Sequence, residues 1–405
     1  MKSGVENVFV FVVCGSVEHI DALHFSIKAL RNVSDAEIVV VTDTSRNEAA
    51  VQHPNLIDVK TPAHFTHHQA SIFLKTGLHK YLPVGNLYCY LDTDVIALDE
   101  KVNEIFAQFN SPITFAKDHC LMDRFSPSAI SCNCKKEFDE WEAELKALFV
   151  RYKDLSRIPE DKEKKERLLK KFEEIKKDKL HYAFTSVRFW LTRKTFRFDD
   201  DTFYDKENFV WHDKNYRPII FEKDVGGAIE AIEQSTTYRC NRENTRIWTR
   251  NGKNVFDCRC NHLQEQIEKD FGIVISEPEW QHWNGGVFLF NEKSIPFLNA
   301  WHNKTIRIFG LPNWKTRDQG TLIATAWEFG LQHAHILPVE FNLIADYEHR
   351  HMTHLGNLQF TFGENTDILC PHFVHVYHHW GDKSWDVWNA IEQKTGINFS
   401  PSPSA

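Results

Sequence analysis

The sequence predicts an α/β protein: a mixed, largely parallel sheet flanked by helices and interrupted by a helical hairpin. Strand-like and helix-like segments alternate from Val8 to Leu91, and the strand-like ones are continuously apolar. Strands that read this way are buried on both faces. A run dominated by Lys, Glu, Asp and Arg then intervenes, from Lys135 to Lys179, before apolar patterns resume near His282.

Taken in order, Val8–Cys14 (VFVFVVC) reads as the first strand and Asp21–Arg31 as an amphipathic helix. Ala36–Thr42 is a second strand, His68–Tyr81 a second helix, and Leu87–Leu91 a further strand. In the charged region, Phe138, Trp141, Leu145, Leu148, Phe149 and Tyr152 form one helical stripe. Leu168, Leu169, Phe172 and Ile175 form another, and a turn at Ser156–Pro159 would join the two helices into an antiparallel hairpin. Residues 181–280 are polar and aromatic without a clear period. Pattern returns with 281-QHWNGGVFLFN-291, helices from Pro296 to Phe309 and from Gln319 to Phe329, and a His- and Trp-rich stretch over 371–388. The division expected is 1–117 for a first half of the α/β domain and 118–281 for an insertion carrying the hairpin at 135–180. A second half follows at 282–390, then a tail at 391–405.

Composition bounds the function. The chain has 405 residues, with 48 basic against 56 acidic ones and a net charge of −8, which disfavours a general nucleic-acid binder and broad attraction to an anionic membrane. Its 31 Phe, 12 Trp and 10 Tyr suit a large core, with some left for flat apolar ligand faces such as sugar rings. Nine cysteines, mostly isolated, fit a reducing compartment. The apolar start, Val8–Val13, is shorter than a signal-peptide core, and no run approaches a membrane span, so a soluble, cytoplasmic protein is expected.

The chemistry concentrates in 88-YCYLDTDVIALD-99. Residues two apart on an extended strand end point the same way, so Asp92 and Asp94, with Thr93 between them, can aim at one point. A bare pair of buried carboxylates repels itself, and a hard cation, Mn²⁺ or Mg²⁺, removes the repulsion while keeping positions for phosphate oxygens. The bland reading is a helix cap or a solvated loop.

With its lead-in 75-KTGLHKYLPVGNLYCYLDTDVIALD-99, this region resembles the retaining, DxD-containing glycosyltransferases of the GT-A fold, particularly family 8, the glycogenin-like and galactosyltransferase-like group. Three further segments match in order: 283-WNGGVFLFN-291, 317-RDQGTLIA-324 and 372-HFVHVYHHWGDKSW-385. The resemblance implies transfer of a hexose from a UDP-sugar, with retention, to a glycan, lipid-linked or protein acceptor. It implies a metal on Asp92, Asp94 and one histidine, for which His375 fits the strand context and His378 the spacing. Asn284 would lie near the donor sugar, Asp318 would hold its hydroxyls, and Gln319 would face the anomeric carbon. Gly285 and Gly286 would let backbone approach the ligand. Lys383 would contact the diphosphate, Lys75 stands where the family has an arginine that orients the donor, and Val12, Cys14 and Gly15 would hold base and ribose. Read without the family, Asp318–Gln319 is a helix cap.

Two other readings remain. LDTDV also resembles the first motif of haloacid-dehalogenase-type phosphatases, with Asp92 as nucleophile and Asp94 as acid/base; there KDVGG, residues 223–227, would have to supply the later acidic group. A GT-A-like module that binds nucleotide-sugar without turnover is the non-enzymatic alternative. Separately, the pairs Cys132/Cys134 and Cys258/Cys260 suggest a structural Zn²⁺ held by four thiolates.

Overall fold

The structure is a computed structural model, and it describes residues 5–152, 162–206, 210–214, 218–221, 228–241, 247–315, 318–346, 352–362 and 367–401. The chain forms two compact units. The first comprises Met1–Cys132 and Cys260–Ala405, the second Asn133–Arg259.

Nine strands of the first unit concern the site: β1 (Asn7–Val13), β2 (Glu37–Thr42), β3 (Leu56–Asp58), β4 (Leu87–Leu91), β5 (Val95–Ala97), β6 (Ile113–Lys117), β7 (Trp283–Phe290), β8 (Leu343–Ile344) and β9 (Phe373–His375). Six of them make the central sheet in the order β3-β2-β1-β4-β7-β6. All run parallel except β7, which is antiparallel to both neighbours. The mixed, largely parallel sheet is therefore present. Its buried character follows from β1: Val8, Val10 and Val12 enter the cluster on one face, while Phe9, Phe11 and Val13 enter that on the other. Truncating fully buried Phe9 or Phe11 to Ala would cost about 3–5 kcal/mol. A smaller sheet, β8-β9-β5, continues from the end of β4 and packs on Phe25, Trp388 and Ile391.

The helix expected over 68–81 is shorter than its apolar pattern. It runs His67–Thr76 from a capping box on Thr66, then breaks at Gly77, where a Cβ would lie 2.8 Å from the Phe73 carbonyl oxygen, and a 3₁₀ turn follows.

In the second unit the two apolar stripes face different cores. Helix Cys134–Tyr152 sends Phe138, Trp141, Leu145 and Phe149 against Ile232, Tyr238 and Trp248. Helix Lys162–Lys177 sends Leu168 and Phe172 against Phe196, Tyr204, Trp211 and Ile219, on a four-stranded antiparallel sheet. The hairpin reading had the stripes facing each other; strands of two to four residues between 195 and 254, with helix Ala228–Ser235, supply their partners instead. The turn at Ser156–Pro159 lies outside the described residues. The second unit is narrower than the insertion expected over 118–281, because helices Met122–Ala129 and His262–Phe271 belong to the first unit. Helix Asp386–Thr395 occupies the start of the expected tail. Among the described residues, no helix is long and apolar enough to cross a membrane.

Candidate active site

Strand pairing assembles the site at the carboxyl end of β4. Register sets Val287 of β7 opposite Leu91, and the Asp92 amide donates to the Gly286 carbonyl at 2.8 Å. On the other side β9 pairs with β5, setting His375 opposite Val95, and the Val376 amide donates to the Asp94 carbonyl at 3.0 Å. Asp92, Asp94 and His375 thus bring ligand atoms within 4.8 Å of one another. Thr93, between the acids, accepts a hydrogen bond at its carbonyl from Ser26 Oγ at 2.7 Å.

The histidine is set for a cation. His375 Nδ1 lies 3.2 Å from Asn342 Oδ1, which assigns the proton to Nδ1 and leaves the Nε2 lone pair facing the acids. Nε2 is buried and 3.1 Å from Asp94 Oδ1, yet it is not aimed for a hydrogen bond and has no other partner. An orphaned imidazole nitrogen beside two carboxylates is the donor set of an oxygen- and nitrogen-binding divalent cation. The electrostatics run the other way: without a cation, Asp94 favours a proton on the imidazole, which a bound cation would replace. Burial pushes Asp92 up despite the Lys75 ammonium. It also opposes ionisation of Asp94 and His375, but each stabilises the other's charge, so the carboxyl falls and the imidazole rises. His378 is exposed; its amide donates to Asp346, its ring meets Tyr377 edge-on, and it is not in the group formed by Asp92, Asp94 and His375.

Lys75 links the two halves of the site. Buried at the last turn of its helix, its ammonium lies 3.2 Å from Asp92 Oδ1 and 3.1 Å from Asp318 Oδ2. Desolvation would lower its pKa, but the two carboxylates more than offset that and raise it. Tyr90 donates its hydroxyl to Asp92 Oδ1. Asp318 stands at the N-cap position of helix Gln319–Glu328 but makes no capping bond; its carboxylate is spent on Lys75, so it is not the cap that the bland reading supposed.

A bulge in β7 supplies the remainder. Between Asn284, paired with Ala116, and Phe288, paired with Phe115, the register shifts, and the extra residues lean into the site. A Cβ on Gly286 would meet His375 Cε1 at 2.6 Å and Asp92 Oδ2 at 2.9 Å; one on Gly285 would meet Gln319 Oε1 at 3.3 Å. Asn284 Oδ1 accepts from the Gly286 amide at 2.8 Å and from Asn342 Nδ2 at 3.2 Å. Asn284 Nδ2 donates to Asp118 Oδ2 at 3.0 Å, which also accepts from Gln319 Nε2 at 3.2 Å. Gln319 Oε1 closes the circuit by accepting from the Gly285 amide at 3.1 Å.

Asp118, His282, Asn342 and Tyr90 are members of this network that sequence reasoning missed. Asp118 had a legible signal, being a carboxylate just past an apolar strand, as Asp92 is. Burial alone would raise its pKa, but His282 and hydrogen bonds from His119 and Asn284 hold the carboxyl well below the usual range.

Other expected residues stand differently. Gly15, two residues past the end of β1, has φ +108°, and a Cβ there would lie 2.8 Å from His67 Cβ. Val12 and Cys14 bury their side chains in the core, which pushes the Cys14 thiol up to about 11 and leaves backbone as what they can offer a ligand. Lys383 is tied to Glu392 in an ion pair and takes no part in the hydrogen bonds among Asp92, Asp94, Asn284, Asp318 and Gln319. Arg317 of the RDQG segment and the KDVGG stretch lie outside the described residues.

The cysteine expectation is corrected in its membership. Within the first unit Cys132, Cys260 and His262 bring donor atoms within 4.8 Å of one another, and Cys260 Sγ is 3.1 Å from Ser126 Oγ. Cys258, expected in the set, packs instead against the aromatic core of the second unit.

No protein-family model and no curated protein matches the chain. Solved structures similar to it are glycosyltransferases. The bifunctional glycosyltransferase WbbM aligns over 98% of this chain and 50% of its own, at 12% identity and a TM-score of 0.42. Mouse xyloside xylosyltransferase 1 aligns over 84% of this chain and 87% of its own, at 10% identity and a TM-score of 0.32. The galactosyltransferase LgtC, solved with donor and acceptor sugar analogues, aligns over 27% of this chain and 46% of its own, at 17% identity and a TM-score of 0.20. The chain thus spans about half the length of WbbM and of LgtC.

Proposed function

We propose that the chain is a metal-dependent, retaining glycosyltransferase that moves a hexose from a UDP-sugar to an acceptor hydroxyl. The observation that carries this reading is the convergence of Asp92, Asp94 and the orphaned His375 Nε2 on one point. The ordered motifs support it, since Asn284 and Asp318–Gln319 join the same hydrogen-bonded network.

Mn²⁺ or Mg²⁺ on Asp92, Asp94 and His375 would supply Lewis-acid neutralisation of the departing diphosphate. The chain's own groups do the rest. Lys75, fully charged at neutral pH, sets the Asp318 carboxylate where sugar hydroxyls can donate to it. Gln319 has Oε1 engaged once, by the Gly285 amide, and its second lone pair can face positive charge growing at the anomeric carbon. In the step itself the bond from the anomeric carbon to the diphosphate oxygen breaks and a bond to the acceptor oxygen forms on the same face. The acceptor proton passes to the departing diphosphate. Gln319 is a poor nucleophile, which favours this same-face displacement; a covalent sugar adduct trapped on Asp318 or Gln319 would overturn it.

UDP release from UDP-glucose, UDP-galactose and their N-acetyl relatives, with and without Mn²⁺, tests the function. Asp94→Ala should abolish release with the thermal melt retained, and full activity in that variant would refute the metal assignment. Binding of Mn²⁺ and UDP with no transfer or hydrolysis of any donor would favour the binding module. Phosphate release from p-nitrophenyl phosphate would favour the phosphatase, for which Asp92, held by Lys75 and Tyr90, would have to act as nucleophile. The proposal includes a structural Zn²⁺ on Cys132, Cys260 and His262. Elemental analysis should find one zinc per chain, lost in Cys260→Ser; a zinc-free preparation with an unchanged melt would dispose of it.

A further inference from the structure

Helix Lys179–Leu191 of the second unit turns an apolar face to solvent. Leu180 and Trp190 are each 84% exposed, Leu191 77%, Phe184 64% and Val187 56%. At 3.6 residues per turn these five positions fall within an arc of roughly 120°. The opposite side is already seated: Phe189 packs on Phe196 and Tyr204 with ring centroids 5.2 and 5.4 Å apart. The exposed arc is therefore surplus to what holds the helix in place, and a contiguous apolar face of this kind marks an interaction site.

Charge indicates the partner. Residues 179–198, KLHYAFTSVRFWLTRKTFRF, contain Lys179, Arg188, Arg193, Lys194 and Arg197 and no acidic residue, in a chain whose net charge is −8; Asp178 and Asp199–Asp201 flank them, and Arg197 pairs with Asp200. On the helical wheel Lys179 borders one edge of the apolar arc and Arg188 the other. We propose that this helix docks in the plane of an anionic lipid bilayer, its apolar arc among the upper acyl chains and its basic borders among the headgroups. With 13 residues it is about 20 Å long, too short to span a hydrocarbon core of about 30 Å. A second copy seated on the same face would bring two basic rims together, whereas a phosphate-bearing surface complements them. The proposal does not depend on sugar transfer.

Vesicle flotation of the full chain tests it, using phosphatidylcholine alone and phosphatidylcholine with 30% phosphatidylglycerol. Partitioning should be at least ~10-fold stronger with the anionic lipid and should weaken as salt rises from about 0.1 to 0.5 M. The double variant F184D/W190D should partition at least ~10-fold more weakly, with an unchanged melt because both side chains are exposed; L355D, at a half-exposed leucine in the first unit, should float as the parent does. No flotation of the parent, equal flotation of F184D/W190D, or equal partitioning onto neutral vesicles would overturn the proposal. So would a concentration-dependent dimer that F184D/W190D abolishes, which would assign the face to a second copy.

Discussion

At Gly286 a single methyl group separates a working site from a blocked one. Its Cβ would sit 2.6 Å from His375, 2.8 Å from Asn284 and 2.9 Å from Asp92, so the ligands themselves would have to move. Overpacking of this kind costs about 1–3 kcal/mol of stability, and a displacement approaching 1 Å costs about 100-fold in rate. Gly286→Ala should therefore lower Mn²⁺-dependent UDP release by about two orders of magnitude and weaken Mn²⁺ binding by calorimetry. Gly285→Ala, where the nearest atoms are 3.3–3.7 Å away, should be milder. Comparable losses in both would show that the bulge tolerates no side chain anywhere and that the particular crowding at Gly286 is not what matters. At this scale the sequence was legible where residues came in motifs. Asp92, Asp94, Asn284, Asp318 and Gln319 all meet, and His375 rather than His378 faces the acids. Asp118, Asn342 and Tyr90 were illegible as a group, because nothing in the chain links one polar residue after β6 to another before β8 until the strands pair. Lys383 pairs with Glu392, nine positions on, and its contact with a diphosphate stands as a proposal.

At the level of elements, helices His67–Thr76 and Ile295–Ile308 are joined through a buried histidine. His302 is 1% exposed, its Nδ1 lies 2.8 Å from Thr76 Oγ1, and its ring packs on Phe73 at 5.0 Å. Burial, with help from the Lys80 and His79 charges, pushes its pKa down to about 3 from an ordinary 6.5. The unfolded chain takes up a proton below pH 6.5 that the folded chain refuses until about pH 3. Stability from this neutral histidine is thus full above pH 6.5 and drains as pH falls towards 3. Between pH 7 and 4.5 the loss should be about 2–3 kcal/mol, at 1.4 kcal/mol per pH unit below 6.5. Urea unfolding at the two pH values should show that loss in the parent and show it removed in His302→Gln; an equal pH dependence in the two would mean that another group carries it. Long elements were readable because periodicity is strong: β1, β2, β4 and helix Val17–Arg31 appear within a few residues of expectation. The strands between 195 and 254 were not, because two to four residues are too few to show alternation, and the helices they cover were matched to each other instead.

For the whole molecule, the decisive fact is that the residues of the proposed metal and sugar site named above lie in the first unit, on either side of the insertion in sequence. The insertion leaves and re-enters that unit at Cys132 and Cys260, whose sulfurs are close enough to share a cation with His262. Chain ends that meet in this way can be joined by a few residues with little loop-closure cost, and units with their own cores tend to fold alone. The first unit has such cores on both faces of its sheet, with Phe9, Phe11, Phe115, Phe288 and Trp301 all fully buried. Replacing 133–259 by a short Gly-Ser linker should therefore leave a folded protein with a cooperative melt. It should bind UDP with Mn²⁺ within a few-fold of the full chain, because Asp92, Asp94, His375 and Lys75 keep all their partners. Loss of UDP binding on excision, with the melt retained, would place part of the donor site in the second unit and refute the confinement of the chemistry to the first.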